Sequence, residues 1–360
     1  MRHRLKRLHA GGMWQWLYDS VDRALSRHDA QRQMLAQLLI LGGEGIEGDF
    51  DRGIAYLQRG RALAEHLDEY WWMILFDHWR LQILRRKGDF PQARELIMHL
   101  VAEVRKPRYD GLPLRICIHE DLIQLCMDTD PLGYTLRIEQ AMRAMEASVV
   151  PGTTCALCLW GLRVDFAKAL HRWEAMEMGV NVLLRLNADD PHSLAVDYTN
   201  LCRLAHERGN QAALAEYAHA GEDLARRTSR HECLSEFLAW QAILAVADDR
   251  SRAESLAEAS LTESKQVIGL VHGDYYHAIC SYFEAAGSLD RALDLRFAQL
   301  KVLAGSGRIG QELHCRTEIC RLLIASHKSA RNQIAAARKA ARALIDPAPA
   351  LATLDVLDRA

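Results

Sequence analysis

The chain lacks any apolar stretch approaching the ~18 residues that a bilayer-spanning helix needs, so no membrane span is expected. It also lacks an excess of either charge. Its 45 cationic and 47 anionic side chains leave a formal net charge of −2, which offers no one-signed field for direct contact with nucleic acid or an anionic membrane. Proline is scarce, at 8 positions, and much Ala, Leu, Arg and Glu favours helix throughout. No run of alternating apolar and polar residues bounded by turn chemistry is present, which argues against a sheet. The basic N-terminus, Met1-Arg2-His3-Arg4-Leu5-Lys6-Arg7, is followed by no apolar export segment. The 9 cysteines are odd in number and irregularly spaced, and most sit in apolar helical stretches. Reduced, buried thiols and a cytoplasmic location follow as expectations.

Catalytic and cofactor signatures are lacking as well. His119-Glu120-Asp121-Leu122-Ile123 and His231-Glu232-Cys233-Leu234 do not complete a zinc-protease motif. Gly42-Gly43-Glu44-Gly45 has neither the following lysine nor the preceding strand of a phosphate loop. Cys155 and Cys158 form a CxxC that shares one helical face, but no second pair would complete a zinc site and no strand precedes it. Core thiols are the simpler reading of that pair. No catalytic residue, metal or cofactor is therefore expected, and the chain reads as a non-enzyme.

What the sequence has is a repeat. Gly48-Asp49-Phe50 and Gly88-Asp89-Phe90 are the same tripeptide 40 positions apart, each closing one apolar-periodic segment and opening another. Glycine ends the first helix, aspartate caps the second, and Pro91 falls in that helix's first turn. Weaker copies lie near 128, 171, 209, 248, 287 and 327, so successive steps are 40, 40, 43, 38, 39, 39 and 40 residues. One supersecondary unit repeated eight times, each burying its apolar face on the next, accounts for this period. Asp68–Arg86, His192–Glu207, His231–Ala247 and Val271–Ala285 are expected as first helices. Pro91–Val104, Gln211–Arg226, Arg250–Val267 and Leu289–Leu303 are expected as second helices. Residues 131 to 175 fit worst: Asp121 and Gln124 just upstream stand where packing residues belong, the turn at His171 has no glycine, and irregular geometry is expected there.

Gly88-Asp89-Phe90-Pro91-Gln92-Ala93 and Ala286-Gly287-Ser288-Leu289-Asp290-Arg291-Ala292 resemble the turn and second-helix start of a tetratricopeptide repeat. Tyr276, Ile279, Cys280 and Phe283 are similar to that family's large, large, small, large pattern on the first helix, as are Tyr198, Leu201, Cys202 and Ala205. The unit near 40 residues exceeds the family's usual ~34. The resemblance implies an all-α, right-handed superhelical solenoid of about eight antiparallel helix pairs. The array would occupy 29–345, between an N-terminal basic segment and capping helix at 1–28 and a C-terminal tail at 346–360.

In such solenoids the first helices line the concave face. Positions one residue off the packing pattern yield a candidate groove: His78, Gln82, Arg85 and Arg86; Thr199, Arg203 and His206; Asp274, His277 and Ser281; and His314, Thr317 and Arg321. Spacing by three and four puts each set on one stripe. Arginine at a groove wall suits bidentate capture of carboxylates, so the expected partner is a protein or peptide carrying acidic residues. Self-association is left open. Tyr70-Trp71-Trp72, Phe76 and Trp79 form a dense aromatic patch, and because neighbours diverge by ~100° on a helix they cannot all enter one core. Trp14, Trp16 and Tyr18 raise the same question at the N-terminus. The expected function is a peptide- or protein-binding scaffold. The alternatives are a signal-sensing regulator of the Rap or transcriptional-activator sensor type and, third, an enzyme on a helical scaffold.

Overall fold

The computed structural model describes residues 14–27, 29–45, 49–110, 112–149, 154–267 and 273–359. The basic segment at 1–13, Gly48, Val271, and the side chains of Trp14, Trp16, Tyr18 and Cys155 lie outside that description. Among the described residues there are eighteen α-helices, one short 3-10 turn (Pro107–Tyr109) and no strand. The helices are α1 (Trp14–Ser26), α2 (Ala30–Glu44), α3 (Phe50–His66), α4 (Tyr70–Lys87), α5 (Phe90–Glu103), α6 (Leu114–Thr129), α7 (Thr135–Glu146), α8 (Thr154–Ala169) and α9 (Trp173–Leu186). They continue with α10 (Pro191–Glu207), α11 (Gln211–Thr228), α12 (His231–Ala245), α13 (Arg250–Ser264), α14 (Gly273–Ala285), α15 (Leu289–Leu303), α16 (Ile309–Ala325), α17 (Arg331–Ala341) and α18 (Ala348–Arg359). Among the described residues no helix is long and apolar enough to cross a membrane.

The chain divides into two compact units, 1–162 with 305–307, and 163–304 with 308–360. In the first unit, α2 packs on α3, α3 on α4, α4 on α5, and α5 and α4 both on α6. In the second, α10 packs on α11 and α12, α12 on α13 and α14, and α16 on α17, with α18 closing over both of those last helices. Most helices thus meet their successors, and the first helices α2 and α4, α4 and α6, α10 and α12, and α12 and α14 also meet one another. Contacts of this kind are those of a helical repeat.

The turns explain the period. Within helix pairs, Gly88, Gly209 and Gly287 have φ of +82°, +66° and +72°, and His171 and His327 take the same left-handed conformation at +54° and +55°. At each, two amides fold back on the helix just ended. The Gly88 amide donates to Arg85 and the Asp89 amide to Leu84, and the His171 and Arg172 amides donate likewise to Lys168 and Ala167. This pattern satisfies the last carbonyls and reverses the chain. The turn expected at His171 is present and follows the same pattern: the backbone hydrogen bonds hold the left-handed residue in place without glycine. Asp89, Asn210 and Asp249 then cap the following helices by accepting from the amides of Gln92, Ala213 and Arg252.

The helices approach closely where glycine permits it. Gly60 on α3 lies against Phe76 on α4, and Gly221 on α11 lies against Phe237 on α12; in each case a Cβ would overlap several ring atoms. Both phenylalanines are fully buried. The two pairs occupy the same place in the repeat, a second helix meeting the next first helix. Of the aromatic patch, Trp72, Phe76 and Trp79 are buried, while Tyr70 and Trp71 are half-buried. Tyr70 sits edge-on to Tyr109, with ring centroids 5.4 Å apart. The patch therefore serves internal packing.

Two substitutions test this account. His327→Gly should stabilise the chain by up to about 1 kcal/mol, read in a urea melt, because glycine adopts the left-handed turn without side-chain strain. Gly221→Ala should destabilise it by about 1–3 kcal/mol, since overpacking against a trapped ring outweighs the gain in helix propensity.

Candidate functional site

The candidate groove residues do not stand free along their helices. His78, Gln82 and Arg85 in one unit, and Arg203, His206, Asp274 and His277 in the other, lie in polar clusters between first helices. In the first unit α4 faces α6. His78 Nδ1 lies 2.6 Å from Asp121 Oδ2, and Gln82 donates to the other oxygen of that carboxylate. One turn on, Arg85 grips Asp128 through Nε and Nη2 at 3.2 and 2.7 Å and reaches Gln124 at 2.5 Å. Asp121 is wholly buried. Burial works against the charged imidazole of His78, but the Asp121 carboxylate outweighs it and holds the His78 pKa above its usual value. Burial, with the Asp121 charge adding to it, raises the neighbouring Glu120. Asp121 and Gln124, which break the expected packing pattern, do so because they answer α4. Arg86, also on α4, is exposed.

The second unit holds the denser cluster, drawn from α8, α10, α12 and α14, the first helices of four consecutive pairs. Lys168 on α8 reaches Asp274 on α14, 106 residues away, at 2.7 Å, and also meets Asn200 on α10 at 3.1 Å. Arg203 on α10 pairs with Glu207 at 2.8 Å, stands 3.7 Å from Asp274, and lies over the Trp173 ring with its guanidinium 5.9 Å from the centroid. Beneath these charges, the rings of His206 and His277 are 5.5 Å apart, and His206 stacks at 4.8 Å on the buried Trp240. Trp240 donates its indole N–H to Glu236 Oε1 at 3.2 Å. Among the predicted groove residues the structure therefore gathers Arg203, His206, Asp274 and His277. Thr199 and Thr317 instead donate to carbonyls of their own helices. Ser281 is half-buried and His314 exposed. Arg321 makes a separate two-pronged clamp on Glu284, with both contacts 2.7 Å.

Burial and pairing pull the charges of this cluster apart. Burial, reinforced by the Asp274 charge, pushes Glu236 up to about 8, against Lys168, Trp240 and Arg203. Burial opposes ionisation of Asp274 too, but Lys168 and Arg203 overcome it and hold that carboxyl down to about 2. Lys168 is raised because Asp274 and Asp165 outweigh its own burial. Burial, then the Arg203 charge, depresses His277 to about 2, so this imidazole is neutral. At neutral pH the cluster is one protonated acid, two cations and their carboxylates, shielded from water.

Lys168, Asn200 and Glu236 were missed in the sequence reading. The signal for Glu236 was an acid at the head of the apolar run Phe237-Leu238-Ala239-Trp240. Nothing local marks Lys168, whose partner is distant in sequence. Elsewhere in the first unit, a cleft of about 460 Å³ is lined by Arg61, Asp77, Arg80 and His99 among others. Its charges are internally paired, with Arg61 2.9 Å and Arg80 3.1 Å from Asp77. Burial raises the thiols of Cys126 to about 11 and Cys233 to about 12, away from the reactive range. Cys158 is half-buried. Among the described residues no three His, Cys, Asp or Glu side chains are grouped as a metal site requires. No protein-family model matches the chain, and a search of curated proteins returns no significant match.

The raised Glu236 acid has a definite consequence for stability. The folded state holds its proton between pH ~4.5 and ~8 where the unfolded chain releases it, so this group's contribution is fully present below that window and is lost as pH rises through it. Glu236→Gln keeps the oxygen that Trp240 bonds. It should match wild type in thermal melting at pH 5 and exceed it by about 1–3 kcal/mol at pH 9. Parallel pH profiles for the two proteins would refute the assignment.

Proposed function

We propose that the chain is a non-enzymatic scaffold of tetratricopeptide-like helix pairs, wound as a right-handed superhelical solenoid, that holds a protein or peptide along its first-helix faces. The single observation carrying this reading is that groove positions are joined by side-chain pairing to other first helices, α4 to its successor α6 and α10 to α14 two pairs on. Polar side chains confined to one face of otherwise apolar helices, and ordered there, form a recognition surface with little conformational entropy left to lose on binding. The recurring turn, with its left-handed residue and following cap, supports the kinship with tetratricopeptide units. Nothing in the polar clusters asks for a cofactor, and a cytoplasmic setting suits the buried thiols.

A second reading, a sensor whose ligand changes the curvature of the array, draws support from the Lys168–Asp274 pair. A contact between helices 106 residues apart ties several pairs together, and a ligand that opens it would change their arrangement.

Thr199 and Ser281 lie on this face without belonging to an ion pair, so they can be enlarged without removing a charge contact. In affinity purification from the native cell with quantitative mass spectrometry, Thr199→Trp with Ser281→Trp should lower recovery of specific partners by at least about fivefold, with the helical fold intact by circular dichroism. Recovery equal to wild type would place the binding surface elsewhere.

A further inference from the structure

The cleft of about 460 Å³ in the first unit lies between the second helices α3 and α5, with Asp77, Arg80 and Leu84 of α4 as its floor. These are not the residues of α4 that face α6. We propose that this cleft binds a linear zwitterion, an ammonium and a carboxylate joined by an aliphatic chain. Its volume is in the range of small-molecule sites.

The repeat itself shows that packing does not require charge on this floor. Gly60 with Phe76, and Gly221 with Phe237, mark the same place in two pairs. Next to the glycines stand Arg61 and Glu222; next to the phenylalanines stand Asp77 and Leu238, both buried. Four positions past the phenylalanines are Arg80 and Gln241. Gln241 is satisfied, donating to Glu222 at 2.6 Å and to the Ala218 carbonyl at 3.4 Å. Leucine and a satisfied amide therefore suffice there, and a buried ion pair adds little that packed apolar side chains would not supply. Charges that the repeat does without, set at the floor of a cleft, mark a ligand site.

The pairing on the floor is unequal. Arg61 donates through Nε to Asp77 Oδ2 at 2.9 Å and through Nη1 to Glu65 at 3.0 Å. Arg80 Nη1 stands 3.1 Å from Asp77 Oδ1 without an aligned hydrogen bond, so that buried oxygen lacks a donor and the guanidinium keeps its fork for another acceptor. The Arg80 side chain is 25% exposed, enough to meet a ligand from the cleft. On the α5 wall Glu95 is exposed and joined to no cation among the described residues. Leu84 and Leu96 supply buried apolar surface to the lining. Arg61 and Arg80 balance Asp77 and Glu95, so neither a simple anion nor a simple cation is favoured. A molecule charged at both ends satisfies Arg80 with its carboxylate and Glu95 with its ammonium. These residues stand on neighbouring packed helices, whose axes are ~8–10 Å apart, so the two charges belong at the ends of a chain rather than on one carbon. The chain then covers Leu84 and Leu96.

Calorimetric titration of the full chain with ε-aminocaproate, caproate and hexylamine tests this. ε-Aminocaproate should bind saturably, and each singly charged analogue at least about tenfold more weakly, because each loses one charge-assisted bond. Glu95→Gln should weaken ε-aminocaproate by at least about tenfold while binding caproate no more weakly than wild type. Arg80→Gln should weaken both. No saturable binding of ε-aminocaproate, caproate or hexylamine binding as tightly as the zwitterion, or wild-type affinity in Glu95→Gln would overturn the proposal. If Arg80→Gln does not fold, Glu95→Gln decides, because Glu95 is exposed and holds no internal cation. The reading of the first-helix faces does not depend on these outcomes; it falls only if the enlarged Thr199 and Ser281 variant recovers partners like wild type.

Discussion

A helix that ends in a left-handed residue turns its chain back within about four residues, and this reversal is the constraint on which the rest of the structure depends. It recurs at Gly88, His171, Gly209, Gly287 and His327 with the same backbone bonds. Because the reversal is fixed, each second helix folds back along its first, and positions on neighbouring first helices such as α4 and α6 come to stand opposite one another. The close approach of Gly60 to Phe76 and of Gly221 to Phe237 is one result. The opposition of Arg85 to Asp128 is another. Core packing and polar pairing are thus consequences of one repeated turn.

The first-helix faces are neither core nor ordinary surface. A charge held there loses much of its hydration, and such a charge is tolerated only with a partner and hydrogen bonds to match. The same helix supplies some of these partners, as Glu207 does for Arg203. The next first helix supplies others, and does so for His78 and Arg85. The second unit carries the principle furthest, because Lys168 draws its partner from three pairs away. Pairing of this kind adds little net stability, since desolvation offsets most of the attraction. Its effect is to fix the conformation and the charge state of the side chains on these faces.

How much was legible follows from how local each feature is. The helices from 289 to 303 and from 211 onward were readable from apolar spacing and turn residues, with ends displaced by a few positions where side chains give no stop signal. The turn at His171 was readable from the period although it lacks glycine, the usual marker for a left-handed residue; the hydrogen bonds that impose it leave no trace in composition. Asp121 and Gln124 were noticed as misfits, and their role became plain only once α4 was placed beside α6.

The sequence by itself determined the period near 40, the pairing of helices around each turn, the capping aspartates and the stripe on which the groove residues lie. These depend on residues within one or two turns of each other, where spacing alone dictates geometry. Only the tertiary structure decided that the arginines of the stripe are already paired, that Glu236 is held as an acid, and that Lys168 meets Asp274. Those facts depend on which helices come to face one another, and on how much water their meeting excludes.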